Sequence, residues 1–174
     1  KMRFLKILTF LIFSLSVSNY SHSSEIYFIN MKQILNKSVA GKSAQDFLKK
    51  KLKEENKKFD KEQSSIKKQE TELIAQKKVI SPEEYKKKLN ILRKKNIDHQ
   101  KSRQRVANEI FQKKEKARSE LYKALNPILQ KYMSENNIDI IIDKKNVVVA
   151  KTEIDLTDKI LKLLDKDLKS INLN

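Results

Sequence analysis

The chain has 174 residues, with no cysteine, no tryptophan, one glycine and two prolines. The missing cysteines exclude a disulfide scaffold, a thiolate zinc site and a cysteine nucleophile, and the scarcity of Gly and Pro leaves few places to turn, so long helices are expected. Lys and Arg number 39 against 22 Asp and Glu, a net charge of +17, which points to an anionic partner.

The first 24 residues read as a cleavable signal peptide. Lys1, Arg3 and Lys6 make a basic start, Ile7 to Val17 an apolar run, and Ser18 to Ser24 a small polar end. That run is too short to span a bilayer comfortably. Small residues at Ser16 and Ser18, or at Ser21 and Ser23, suit the peptidase, and the cut is left open between them. The expected compartment is the periplasm of a Gram-negative cell.

Glu25 to Met31 is short, apolar and β-prone and predicts a strand. Lys32 to Asn36 predicts a helical turn, and Gly41 marks the joint before the long helices. Residues 25–42 are thus read as the first part of a body.

Ser43 to about Lys78 predicts one helix. Leu52, Phe59, Ile66 and Leu73 recur every seven residues, a heptad seam. Its companion positions, Glu55 and Glu62, are polar, so the contact is thin. Ser81-Pro82-Glu83-Glu84 combines a cap, a Pro at the first helical position and a Glu three residues after the Ser. A second helix therefore starts at Pro82, with the turn near 79–82, and returns antiparallel as a hairpin arm over 43–124. Its inward set is Tyr85, Leu89, Leu92, Asn96, His99, Arg103, Val106, Ile110, Lys113, Ala117 and Leu121. The polar members in the middle favour a bendable arm. A first helix of this length reaches ~54 Å, which a compact domain has no use for unless the element projects.

Asn126-Pro127 is expected to kink or restart the helix. Ile138 to Asp143 predicts a strand, Lys144 to Asn146 a turn, and Val147 to Ala150 a further strand, together a β-hairpin. Asp155 is expected to cap a last helix with Leu156, Ile160, Leu163, Leu164 and Leu168 on one face. Residues 125–174 complete the body. The fold class is α+β: a long antiparallel helical hairpin projecting from a small sheet-bearing body. Such a body seldom builds an adequate core alone, and its short strands leave open edges. Both problems are solved if subunits pool their strands.

The charge is unevenly placed. Residues 42–123 hold 26 Lys and Arg against 13 Asp and Glu, whereas from residue 124 onward 8 of each sign cancel. A lysine cluster alone suits any solvated helix, but a basic arm on a neutral body is not explained by one compositional bias. Phe47, Ile74, Val79, Ile80, Ile97 and Phe111 stand among Lys77, Lys78, Lys86, Lys87, Arg93 and Lys94. Lysine stems add apolar cover while their charges stay in water. Such a surface suits weak, many-point contact with an exposed apolar segment. Phe59 is expected to pack between the helices instead.

No phosphate loop, paired-glycine fingerprint or metal-ligand spacing is present, so neither cofactor nor metal is expected. His22 leaves with the signal peptide, and His99 then has no positioned catalytic partner. Glu54-Glu55 and Glu83-Glu84 are adjacent on helices and point apart. No catalytic residue is assigned.

The layout resembles the Skp/OmpH family of periplasmic chaperones. The likeness lies in Ile26-Tyr27-Phe28-Ile29-Asn30-Met31, the charged hairpin, Asn137-Ile138-Asp139-Ile140-Ile141-Ile142-Asp143, Val147-Val148-Val149 and Asp155-Leu156-Thr157. It implies a homotrimer whose bodies form a β-barrel and whose arms surround a cavity. It further implies an ATP-independent holding chaperone for unfolded outer-membrane proteins, with lipopolysaccharide or an anionic membrane surface as a further partner. Two other readings compete. A basic coiled coil that binds nucleic acid would stay in the cytoplasm and has no reading helix here. A structural envelope tether would need an anchor or a wall-binding module.

Overall fold

The structure, a computed structural model, describes residues 25–173. The signal-peptide segment lies outside the described residues. In chain order the elements are β1 (Ile26–Ile29), α1 (Met31–Lys37), α2 (Val39–Ala75), α3 (Pro82–Glu135), β2 (Ile140–Asp143) and α4 (Thr157–Asp167). Short 3-10 turns lie at Gln76–Lys78, Lys144–Asn146 and Thr152–Ile154.

The helix starts are set by side-chain caps. Asn30 Oδ1 accepts from the Gln33 amide at 2.9 Å, and Ser38 Oγ from the Gly41 amide at 3.1 Å. Ser81 Oγ accepts from the Glu84 amide at 3.2 Å, as its sequence signature predicts. Gly41 is not a joint ahead of the helices, because it lies within the first turn of α2. There the end of α1 approaches so closely that an added Cβ would sit 2.0 Å from the Leu35 carbonyl oxygen. Only glycine admits that approach.

The two helices α2 and α3 run antiparallel. Lys51 with Glu109, Glu62 with His99, Glu70 with Asn96 and Gln76 with Lys88 mark successive levels from base to tip. The 37-residue α2 corresponds to ~55 Å of arm.

At the other end, α3 continues as one helix of 54 residues to Glu135. The expected restart at Asn126-Pro127 does not occur. Pro127 removes one backbone donor and costs about 3 kcal/mol in a helix interior. Leu121, Leu125 and Ile128 are buried on the adjoining turns, and each contributes about 1.5–3 kcal/mol by burial, so packing carries the helix through. It ends where Asn137 turns to φ 52° and the Ile138 amide bonds back to the Met133 carbonyl at 3.0 Å, a left-handed helix stop.

The body core joins Ile29, Ile34, Ala40, Leu121, Leu125, Ile128, Ile138, Leu156, Ile160 and Leu164. Helix α4 supplies the last of these, with Lys159, Lys162 and Lys166 facing water. The cap position is Leu156 and not the expected Asp155, which stands one residue earlier; its carboxylate accepts from the Thr157 amide at 2.9 Å. The Thr157 hydroxyl in turn accepts from the Asn30 amide at 2.8 Å, tying β1 to α4.

The sheet has two strands, β1 and β2, paired in parallel with Ile26 opposite Ile140 and Ile29 opposite Asp143. A bridge from Phe28 to Asp155 takes the second edge of β1. The expected β-hairpin is absent among the described residues. Val147–Ala150 forms no strand, and Val148 and Val149 are 102% and 88% exposed. The strand Ile140–Asp143 pairs instead with a segment from the far side of the arm, because that partner completes a buried layer over α3 and α4.

Candidate binding surface on the helical arm

The seam of the arm is built from two heptad lines. Phe59, Ile66 and Leu73 on α2 are buried, as are Leu92, His99 and Val106 on α3. Phe59 packs between the helices as its position predicts, meeting the His99 ring edge-on at 5.6 Å between centroids. Leu52 does not extend the line. It is 40% exposed and borders an open groove with Asn56, Phe59, Arg103, Gln104 and Ala107. Arg103 is exposed rather than inward, with its guanidinium 5.8 Å from the Phe59 ring centre.

Polar pairs hold the rest of the seam. His99 Nδ1 lies 2.9 Å from Glu62 Oε2, and Asn96 donates to Glu70 at 2.8 Å. Lys51 and Glu109 meet at 2.5 Å near the base. That hydrogen bond, with the Lys51 charge, holds the Glu109 carboxyl below the usual carboxylate range. Lys58 is pushed up by its hydrogen bond to Glu55 and that carboxylate's charge.

The outward faces carry the residues that sequence reasoning singled out. Phe47, Ile74, Val79, Ile97 and Phe111 are large, apolar and exposed, Val79 at 83%. Ile80 is half-buried at the turn, so it is partly withdrawn. Lys77, Lys78, Lys86, Lys87, Arg93 and Lys94 are all exposed. The chain brings Ile74, Lys77, Lys78, Val79, Lys86 and Lys87 together around the tip. Phe47 and Phe111 fall at one level near the base, in the register set by Lys51 and Glu109. Ile97 stands mid-arm, one turn from the exposed Arg93 and Lys94. The residues thus form a dispersed surface and no single pocket.

Sequence reasoning passed over Ile91 and Tyr122, which are equally exposed on α3; their spacing from the buried Leu92 and Leu121 was the available signal. It also passed over the segment after α4, where Leu173 is buried against Ala44 and Ala117. Among the described residues, no group of three or more His, Asp and Glu side chains is placed to hold a metal ion.

A small two-stranded body bearing one long basic helical hairpin defines the class: an arm-bearing α+β protein with exposed apolar and lysine side chains spread along the arm. The family profile of outer membrane proteins (OmpH-like) matches residues 25–164, and the chain belongs to that family. The fold is similar to that in the crystal structure of an OmpH-like protein from Caulobacter crescentus CB15, proposed there as an outer membrane chaperone. The TM-score is 0.79 at 21% identity, over 89% of this chain and 92% of that one. No curated protein matches the chain significantly.

Proposed function

We propose that the protein is a periplasmic, nucleotide-independent holding chaperone that shields unfolded outer-membrane proteins before their insertion. The observation that carries this reading is the arm itself: a projecting hairpin with large apolar side chains exposed among lysines. Many weak apolar contacts retain an unfolded chain without selecting a sequence, and multivalency makes them sufficient together. The charge surplus of residues 42–123 draws in acidic segments and falls off with salt. Family membership and the likeness to the Caulobacter protein support the same reading, and the residues gathered on the arm are a contact surface, not a catalytic centre.

The working form in this proposal is a homotrimer. The outer edge of β2 and the bare Val148-Val149 pair are surfaces that a second copy can cover, and pooled bodies would leave the arms around a shared cavity. The N-terminal 24 residues would serve as the export signal. Anionic lipid or lipopolysaccharide is a secondary partner of the basic arm.

The deciding experiment mixes the processed protein with a urea-unfolded outer-membrane β-barrel protein and dilutes both into buffer without nucleotide. Light scattering should stay low at near-stoichiometric ratio. Undiminished aggregation at several-fold excess would reject the proposal.

A further inference from the structure

Beyond Asp167 the chain leaves helix α4 and runs without regular structure to Leu173, outside the segment matched by the family. It crosses the base of the arm. Leu173 is 3% exposed, buried with Ala44 and Ala117, and Leu48 and Ile171 pack against that cluster. Lys113 donates its ammonium to the Leu173 carbonyl oxygen. The receptacle exists because the seam changes character here. Farther out the facing positions hold Phe59, Ile66 and Leu73, whereas at the base they hold alanines. Small side chains on both helices leave a dent that a third apolar side chain enters from outside.

Two features define what fits. In an extended chain, residues two apart share a face, and Ile171 and Leu173 use that spacing. The polar contact is to a main-chain carbonyl, which every residue offers. The groove therefore reads an extended backbone with apolar side chains at alternate positions and nothing more specific. A strand destined for a membrane barrel carries that pattern. The segment ends in one buried leucine and one ammonium–carbonyl bond at the groove, while Leu168 and Ile171 pack against the body core.

We infer that the groove between Ala44 and Ala117 is a docking site for an extended polypeptide segment with alternating apolar residues, and that the end of the chain at Ile171 and Leu173 occupies it until such a segment displaces it. This deepens the chaperone reading and rests on it for the identity of the incoming chain.

The test uses a fluorescent synthetic peptide of about nine alternating Leu and Thr residues, with a block-ordered peptide of the same composition as control. In the full chain, Leu173→Ser vacates the groove and should bind the alternating peptide about fivefold more tightly than the unchanged protein, with no gain for the control. Adding Ala117→Leu fills the dent and should cancel the gain. In the unchanged protein, saturating peptide should move the backbone amide resonance of Leu173 to its position in an unstructured chain. Unaltered or weaker peptide binding by a folded Leu173→Ser variant would make the segment a fixed strap and overturn the inference. If Leu173→Ser fails to fold, an unmoved Leu173 resonance has the same force. Aggregation suppression by the unchanged protein is read separately, so loss of that activity strikes the chaperone reading and not this site.

Discussion

Glu62 and His99 face each other across the arm with 2.9 Å between Oε2 and Nδ1, at a level flanked by the buried Phe59, Leu92 and Val106. His99 is 2% exposed, and its other ring nitrogen, Nε2, is buried without a hydrogen-bond partner. Leu92 and Val106 stand one heptad to either side. A polar group in that row leaves one nitrogen unsatisfied, which costs stability at this level. His99→Leu should therefore stabilise the arm by about 1 kcal/mol, seen as slower amide exchange around residues 59–66 and 96–103. If the arm works by bending here, the same variant should capture large clients less well than small ones. Faster exchange in the variant would mean that the Glu62 contact outweighs the unsatisfied nitrogen.

Phe59 is the largest side chain in the seam, and its ring touches both His99 and Arg103. Truncation to Ala removes that contact from a thin interface, at a cost of about 3 kcal/mol. The body core is a separate cluster, so the loss should stay local. Phe59→Ala should expose arm amides to exchange while those of Ile34, Leu125 and Ile160 keep their protection. Collapse of both sets together would mean that arm and body unfold as one unit.

The Lys51–Glu109 pair gives the base of the arm a pH dependence of definite sign. Its hydrogen bond depresses the Glu109 carboxyl in the folded chain. The contribution is fully present above the unfolded carboxylate value of about 4.3 and fades as pH falls through the lower folded value. The Glu109 side chain is 44% exposed, so solvent keeps the effect small. Glu109→Gln should melt slightly below the unchanged protein at neutral pH and low salt, and the gap should close in acid and shrink with added salt. A gap that stays undiminished in acid would assign the effect to packing.

How far the sequence carried can be judged from particular residues. Phe59, Ile66 and Leu73 announced their seam because a heptad repeat is a local signal, and Ser81 announced its cap for the same reason. Leu52 obeyed the same repeat, yet opposite it α3 offers long polar side chains, and the periodicity of one helix does not register what its partner supplies. Pro127 followed a local rule that the burial of Leu125 and Ile128 overrode. The partner of Ile140–Asp143 was misjudged because a nearby apolar run, Val147–Ala150, looked closer than Ile26–Ile29, which only the return of the arm brings alongside. On the arm surface, exposure of Phe47, Ile74, Val79, Ile97 and Phe111 was legible from their places off the seam. The docking of Leu173 was not, since a single pair of apolar residues beyond the last helix is too short a pattern to announce a face.

That misjudged run leads to the sharpest prediction about assembly. Val148 and Val149 are bare in the single chain, and they come soon after β2, beyond the 3-10 turn Lys144–Asn146; the outer edge of β2 lacks a strand among the described residues. Two exposed β-branched residues and an unpaired strand edge each invite another chain, and the same site on every copy gives a closed ring when the rotation closes. Charges at these positions would have to be desolvated on pairing, which is costly without partners. The double change Val148→Asp with Val149→Asp should therefore lower the sedimenting mass from that of three subunits to that of one, while the helical circular dichroism of the arm persists. Lys151→Asp, just beyond the pair, should leave the mass unchanged and serves as the control. An unaltered mass in the double variant would place the subunit contact elsewhere. A single-subunit mass in the unchanged protein would remove the trimer from the proposal, because the arms would then have no shared cavity to enclose.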